Sequence, residues 1–322
     1  MRRFMRRTVA CGLVMLLVMC LLGGCSCSTK SGIRLGTGNE GGTYYMYGEK
    51  LEDYASNITI KTTAGSEANL RLLDKGYIDA AIAQSDSIDI STINCSAVTG
   101  LYTEAVQLIV RKDSGINSVE GLRGKRVSIG EEESGVIRNA EQIFLAAGLT
   151  LDDVTESHLS FSNAAKAMER GEIDAFFCTA GAPTKSVAEL FDKGIVNIVG
   201  LDDALMKRLI NLYPGYNPCT IPAGSYKGQT NDVVTVGVRA ILVVSPDMKD
   251  STVTELIKTV IDNSEELNKD IVTDGKIDGE AAVLSVGIPF HPAAAAYLET
   301  MGVHVAKWTG KAKKTVIGSQ DN

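Results

Sequence analysis

Two short turns rich in glycine, serine and threonine, both within the segment Ile33–Asp86, constrain the fold most. The first runs from Gly36 to Tyr44, and the second runs from Thr63 to Asn69. Each turn falls between an apolar run that predicts a strand and a periodic segment that predicts a helix. A helix that begins directly after such a turn directs its backbone N–H groups and the positive end of its dipole at one point, which favours an anion. The sequence therefore predicts a carboxylate-binding cleft rather than a catalytic site.

The N-terminus has the features of a bacterial lipoprotein signal. Four arginines precede the apolar segment Val9–Leu22, which is too short for a stable membrane span. Leu22-Gly23-Gly24-Cys25 then fits a lipobox, in which cleavage occurs before the cysteine and lipid is attached to its sulfur. We expect a signal peptide at 1–24, a lipid on Cys25 and a flexible tether at 25–32, which would anchor the mature protein outside the cytoplasmic membrane. An ordinary signal peptide with a chance cysteine is the alternative.

Composition narrows the classes of partner and chemistry. Loss of residues 1–24 leaves 28 basic and 39 acidic residues, a net charge of −11, which argues against nucleic-acid binding. A local dipole pocket can still hold an anion, because distant surface charges are screened. Cys95, Cys178 and Cys219 lack metal-ligand spacing and are expected as buried thiols, with one disulfide among them as the alternative. The sequence has no catalytic triad, P-loop or paired-carboxylate motif, so we expect neither an enzyme nor a metal or cofactor.

Short apolar runs alternate with helical patterns from Ile33 onward, which predicts an α/β fold with mostly parallel sheets. The 298 residues after the signal exceed one typical core, so two lobes are expected. Val106–Val110 predicts a strand, the polar segment 111–124 after it predicts a crossing between lobes, and the long run Val233–Ser245 predicts the return. The expected boundaries are 33–110 plus 240–307 for lobe 1, 111–239 for lobe 2, and 308–322 for a loose tail. Two crossings favour a hinged binding protein, whose ligand lies beyond the carboxyl ends of the strands and is buried by closure.

Ligand contacts in the first lobe are expected at the two turns and at the end of the strand Ile78–Ala83. Ser66 can equally be the N-cap of the helix that follows it. Asp86 can cap the next helix, since a carboxylate repels an anion, but it can also hold the ammonium group of an amino acid. The candidates in this lobe are Gly42, Thr43, Tyr44, Ser66, Asn69, Gln84 and Asp86.

In the second lobe, a helix predicted to begin near Ser134 creates a further dipole pocket, with simple capping as the alternative. A strand is expected to end shortly before Gly181, which places the following residues on the opposite wall of the cleft. Arg138 is a weaker candidate for a carboxylate clamp, and Arg111 is expected as a solvated charge. The candidates in this lobe are Ser134, Gly135, Val136, Gly181 and Pro183.

Several blocks follow the opening turns in a specific order and spacing. They are Leu101–Glu104, Leu122–Gly130, Ser134-Gly135, Gly181–Pro183, Ile221–Tyr226 and Ile288–Pro292. With these blocks, the chain from about Ile33 to Val303 resembles the TAXI-type solute receptors of tripartite ATP-independent periplasmic (TRAP) transporters. The resemblance implies a type II periplasmic-binding-protein clamshell. It also implies a monomeric receptor that delivers a glutamate-like ligand, a dicarboxylate or a 2-oxoacid to an ion-driven membrane permease.

One loop departs from the pattern of that family. Where Ser-Gly-Thr is expected, the chain has Ser134-Gly135-Val136, which removes a hydroxyl group that could contact the ligand. The acidic run 131–133 beside it could repel a second carboxylate. The identity of the ligand therefore stays open among small carboxylates and amino acids. A receptor that feeds a sensor kinase, with the same fold, is the alternative function.

Overall fold

The computed structural model describes residues 32–272 and 275–309. The predicted signal peptide, Cys25, nearly all of the tether and most of the tail lie outside the described residues. Ten strands are described, and their bounds are β1 Ile33–Gly36, β2 Ile58–Lys61, β3 Ala80–Gln84, β4 Ser96–Arg111, β5 Arg126–Ser128, β6 Thr155–Ser157, β7 Ala175–Ala180, β8 Val196–Val199, β9 Asn217–Ile221 and β10 Val233–Val244.

Ten α-helices are described between and after these strands. Their bounds are α1 Thr43–Tyr54, α2 Ser66–Asp74, α3 Gly135–Ala146, α4 Phe161–Glu169, α5 Lys185–Asp192, α6 Asp203–Leu212, α7 Asp250–Asp262, α8 Ser264–Asn268, α9 Gly279–Val283 and α10 Pro292–Thr300. Short 3₁₀ turns lie at Ser85–Ser87, Glu120–Leu122 and Leu151–Asp153. No described helix has both the length and the apolar character that crossing a bilayer requires.

The strands form one mixed sheet in the order β2-β1-β3-β10-β4-β7-β5-β6, with β8 also beside β4 and β9 beside β10. The α/β class is confirmed, but the prediction of mostly parallel sheets is wrong. Among the described strands, four pairings are parallel and five are antiparallel. The reason is that the long strands β4 and β10 run against each other and against every other strand they pair with.

Three clusters of buried side chains lie along this sheet, and the two that cover opposite faces of one half of it are together called the second core. The first core contains residues of β1, β3, α1, α7 and α10, and the second contains residues of β5, β7, α3 and α5 on the two faces of the other half of the sheet. Both long strands belong to each core in turn. A two-lobed clamshell with two crossing strands is therefore confirmed, and the lobe boundaries given above stay a prediction.

The change of core falls within the long strands themselves. In β4, Tyr102 packs in the first core and Ala105 in the second. In β10, Val238 packs in the second core and Ala240 in the first. The first change thus lies before the segment 111–124, where a crossing was expected, because the predicted strand Val106–Val110 is only the second half of a 16-residue strand.

Two further elements differ from the sequence-based expectation. The segment 214–230 is rich in Gly, Pro and Tyr, which predicts a loop, but its residues Asn217–Ile221 form β9 along β10. The apolar spacing of 252–268 predicts one helix, which the structure divides into α7 and α8. Cys95, Cys178 and Cys219 are buried as thiols, as expected.

Candidate functional site

A cavity of about 50 Å³ lies between the two cores, with room for a few water molecules or a small ligand. Eighteen residues line it, and they come from both cores. The first residues of four helices are among them. These residues are Gly42 and Thr43 at α1, Gly65 and Ser66 at α2, Ser134 and Val136 at α3, and Ser160 and Phe161 at α4.

Three of the four helices begin without a side-chain cap. The N-cap residues of α1, α2 and α3 are Gly42, Gly65 and Ser134, and none accepts a hydrogen bond from the helix through its side chain. At Gly65 the backbone φ angle is +131°, which a residue with a Cβ adopts only under strain. The unpaired N–H groups and the aligned dipoles of these helices favour a negatively charged group in the cavity.

A chain of hydrogen bonds links four elements beside the cavity. The backbone N–H of Gln84 donates to Ser66 Oγ over 3.0 Å, and Ser66 Oγ lies 3.3 Å from the hydroxyl oxygen of Tyr44. The Tyr44 hydroxyl donates to Glu104 Oε2 over 2.9 Å. All four residues line the cavity and are buried. This chain fixes the ends of β3, α1 and α2 relative to β4.

Glu104 is one of the eleven lining residues that the site prediction did not include. Its side chain is 2 % exposed, and burial raises the pKa of its carboxyl group to about 8, with the nearby carboxyl of Asp86 adding to the shift. Hydrogen bonds from Tyr44 and Gln84 act in the opposite direction. The signal in the sequence is an acidic residue inside the long apolar run of β4. Burying a charge there costs free energy unless the charge is paired.

Three buried polar atoms of the lining have no hydrogen-bond partner in the structure. They are Gln84 Oε1, Ser134 Oγ and Thr179 Oγ1. Each of these side chains is at most 4 % exposed. Buried polar groups in native proteins are nearly always paired, so these atoms are candidates for contacts with a polar ligand or with water in the cavity.

Seven of the predicted ligand contacts lie together at this cavity. They are Gly42, Thr43, Tyr44, Ser66, Gln84, Ser134 and Val136. The other five predicted residues are not part of its lining, although Gly135 lies directly beside it. A Cβ at Gly135 would overlap with the side-chain amide of Gln84, so the absence of a side chain there is what lets β3 and α3 approach.

Asn69 has a structural role that the sequence pattern did not separate from ligand binding. Its amide nitrogen donates to the carbonyl oxygens of Thr37 and Ile82, over 2.6 and 2.8 Å, and its oxygen accepts from Thr63. Both amide hydrogens are used, and the side chain is fully buried. Asn69 therefore holds the turns after β1 and β2 in place instead of lining the cavity.

Asp86 pairs with the second core instead of the cavity. Its Oδ2 accepts from Asn139 Nδ2 over 3.1 Å, and Asn139 also donates to the hydroxyl of Tyr216. Burial raises the pKa of Asp86 to about 6, while Arg138 lowers it. This carboxyl group therefore belongs to the contact between the two cores.

The remaining predicted residues also take part in contacts between the cores. The carbonyl oxygen of Gly181 accepts from Thr43 Oγ1 over 3.1 Å. Pro183 lies in a separate surface depression near α1. In the opposite direction, the Ser186 hydroxyl on α5 of the second core donates to the carbonyl oxygen of Gly41 over 3.2 Å. These bonds join the two cores beside the cavity.

The described residues that line the cavity include no arginine or lysine. Arg138, the weaker candidate clamp, approaches Glu67 at 3.7 Å, and Arg111 pairs with Asp113 at the far end of β4. Glu131 is the second acidic residue of the lining, and it accepts from Asn39. Within residues 32–272 and 275–309, no group of three or more His, Cys, Asp or Glu side chains is arranged to hold a metal ion.

Solved structures with a similar fold include that of a protein from Bordetella bronchiseptica RB50. It has a TM-score of 0.52 and 15% identity, and the match covers 86% of this chain and 83% of that one. A putative L-cystine ABC transporter protein from Listeria monocytogenes matches at a TM-score of 0.49 and 16% identity, over 76% and 96% of the two chains. The alkanesulfonate-binding protein SsuA from Xanthomonas axonopodis pv. citri, bound to MOPS, matches at 0.46 and 16%, over 84% and 83%.

A family model gives the firmer assignment. The model of the NMT1-like family matches residues 35–302, which span both cores, all four helix N-termini at the cavity and both long strands. This range is well over half of the 322 residues. The chain therefore belongs to the NMT1-like family.

Proposed function

We propose that this protein is an extracytoplasmic solute-binding protein that captures a small carboxylate and delivers it to an ion-driven TRAP-type permease. The observation that carries the proposal is the convergence of four helix N-termini on one small cavity between two cores. Three of these N-termini have no side-chain cap, which leaves N–H groups of their first turns for a carboxylate, although the N–H of Ala68 in α2 donates to the carbonyl oxygen of Glu133. The lining has the hydroxyl and amide groups that orient a ligand, without a nucleophile–base pair of the kind that catalysis needs.

The mechanism of capture follows from the two cores. The N-termini of α1 and α2 lie on the first core, and those of α3 and α4 lie on the second. A ligand held by both sides adds contacts that exist only when the lobes are closed, so it favours the closed form. The closed, liganded monomer would then be the form that the permease recognises.

The proposed location rests on the N-terminal sequence. Cys25 would carry the lipid, since the apolar segment ends in Leu-Gly-Gly-Cys. Labelling of cells with a fatty-acid analogue should be lost in Cys25→Ala and kept in Cys27→Ala, its matched control two residues away. Undiminished labelling of Cys25→Ala would contradict the lipid anchor and leave the binding function untouched.

The function is tested by identifying what the protein holds. Mass spectrometry of small molecules released from natively purified protein should find a carboxylate. The same compound should raise the melting temperature, because a ligand that binds only the native state stabilises it. A screen of acidic amino acids, neutral amino acids, dicarboxylates and 2-oxoacids that leaves the melting temperature unchanged would contradict the proposal.

A further inference from the structure

Glu104 gives the cavity a feature that a site for a simple anion does not need. Its carboxyl group is 2 % exposed, lines the cavity and lies on β4 between the residues that pack in the first and second cores. Its hydrogen-bond partners are the uncharged side chains of Tyr44 and Gln84. A buried carboxylate with only neutral partners is costly, and a cationic group beside it would offset that cost.

The unpaired Oε1 of Gln84 is a second, independent indication of a cationic group in the ligand. The hydrogen bond with the Glu104 carboxyl uses the amide nitrogen of Gln84, which leaves Oε1 without a hydrogen-bond partner where it lies against Gly135 at the start of α3. An amide oxygen can only accept a hydrogen bond. A dicarboxylate or a 2-oxoacid is fully ionised at neutral pH and has no donor to offer, whereas an ammonium group offers three.

The charges of the lining residues also favour a ligand with an ammonium group. Among the described lining residues, Glu104 and Glu131 have carboxyl groups, and none has a basic side chain. The positive potential comes from the helix N-termini alone, so the cavity provides for one carboxylate and opposes a second one. A ligand with a single carboxylate and a single ammonium group satisfies both halves of the cavity.

We infer that the ligand is a small zwitterionic amino acid, and that Glu104 and Gln84 Oε1 are the residues that receive its ammonium group. This inference rests on the proposed function and narrows it, since dicarboxylates and 2-oxoacids become the excluded ligands. The carboxylate of the amino acid occupies the uncapped helix N-termini. Glu104 is then the residue that sets the specificity of the site.

The test compares ligands that differ only at the α-carbon. Calorimetry measures L-alanine against pyruvate, L-leucine against 4-methyl-2-oxopentanoate, and L-glutamate against 2-oxoglutarate, with succinate as a dicarboxylate. In the pair that fits the cavity, the amino acid should bind at least tenfold more tightly than its 2-oxoacid. Glu104→Gln should remove this preference, and Glu169→Gln, the same change at an ion pair on α4, should keep it.

The possible outcomes test the proposed function and the inference of a zwitterionic ligand separately. Equal or tighter binding of the 2-oxoacid or of succinate overturns the zwitterion and leaves a carboxylate-binding protein. Binding of none of these compounds overturns the proposed function together with this inference. A folded Glu104→Gln protein that retains the tenfold preference overturns the role of Glu104. The comparison of ligands on the wild-type protein holds even if that variant does not fold.

Discussion

The Tyr44 hydroxyl lies 2.9 Å from Glu104 Oε2, although the two residues are 60 positions apart in the chain. Tyr44 is the second residue of α1, directly after the first small-residue turn, and Glu104 lies in the middle of β4. The bond therefore joins α1, whose start the sequence predicts clearly, to Glu104, which the sequence did not predict as a site residue. Burial also raises the pKa of Tyr44 well above its ordinary value, so its hydroxyl stays a donor.

Tyr44→Phe should weaken ligand binding about tenfold or more without unfolding the protein. The change removes a hydrogen bond to a carboxyl group, a loss of about 1.5–3 kcal/mol, and lets the Glu104 side chain rotate away from its ligand-binding position. Calorimetry with the best-binding amino acid measures the effect. Tyr54→Phe is the matched control, because Tyr54 is 42% exposed at the end of the same helix. Equal losses in both variants would contradict a specific role for the Tyr44 hydroxyl.

The unliganded protein should become less stable as the pH rises from 5 to 8.5. The pKa values of Glu104 and Asp86 are raised to about 8 and about 6 by burial, so the native state holds protons that the unfolded chain releases. The stabilisation is complete below the ordinary carboxyl pKa and is lost as the pH passes through these raised values.

Urea titrations at several pH values measure this dependence. Between pH 5 and 8.5, the free energy of unfolding should fall less in Glu104→Gln than in wild type, by on the order of 2 kcal/mol. In Glu169→Gln, the fall should equal that of wild type. The three histidines are common to all these proteins, so the comparison isolates the carboxyl group. Identical pH profiles of wild type and Glu104→Gln would contradict the raised pKa.

Part of the cavity lining could be predicted from local sequence patterns, although its role in ligand binding stays a prediction. Gly42–Tyr44, Ser66 and Ser134 lie at helix starts, which follow from residues adjacent in the chain, and the structure places them together. Glu104 depends instead on the pairing of β4 with β10, which no local pattern reveals. Asn69 shows the converse error, because a polar side chain after a turn can bind the backbone as readily as a ligand.

The same distinction accounts for the fold. The α/β alternation is a local property and was predicted, whereas the antiparallel central pairings arise from the order in which the long strands cross between the cores. β9 was missed because its residues include a proline and little apolar character, and it forms only by pairing with β10 at Val233–Gly237. Such pairing energy is supplied by distant residues and outweighs local propensity.

Gly41→Ala should weaken ligand binding by interfering with closure. A Cβ at Gly41 would overlap with the hydroxyl groups of Ser162 and Ser186, which lie on α4 and α5 of the second core. We expect a several-fold loss of affinity and a larger radius of gyration with ligand by small-angle X-ray scattering. Removal of both hydroxyls in the triple variant G41A/S162A/S186A makes room for the methyl group and should restore compaction to that of S162A/S186A, which also lacks the Ser186–Gly41 hydrogen bond. A triple variant as weak as Gly41→Ala alone would place the defect elsewhere.

Gln84→Ala should lower affinity about tenfold, with the larger share of the loss falling on ligands that carry an ammonium group. The variant removes an acceptor from the cavity and also removes the hydrogen bond that orients Glu104. The fold should persist, because Gln84 contributes its backbone to β3 and that backbone is unchanged. Gln142→Ala is the control, since Gln142 accepts from Tyr216 away from the cavity. If Gln84→Ala binds amino acids with wild-type affinity while circular dichroism shows an intact fold, the ammonium group is not held at the end of β3.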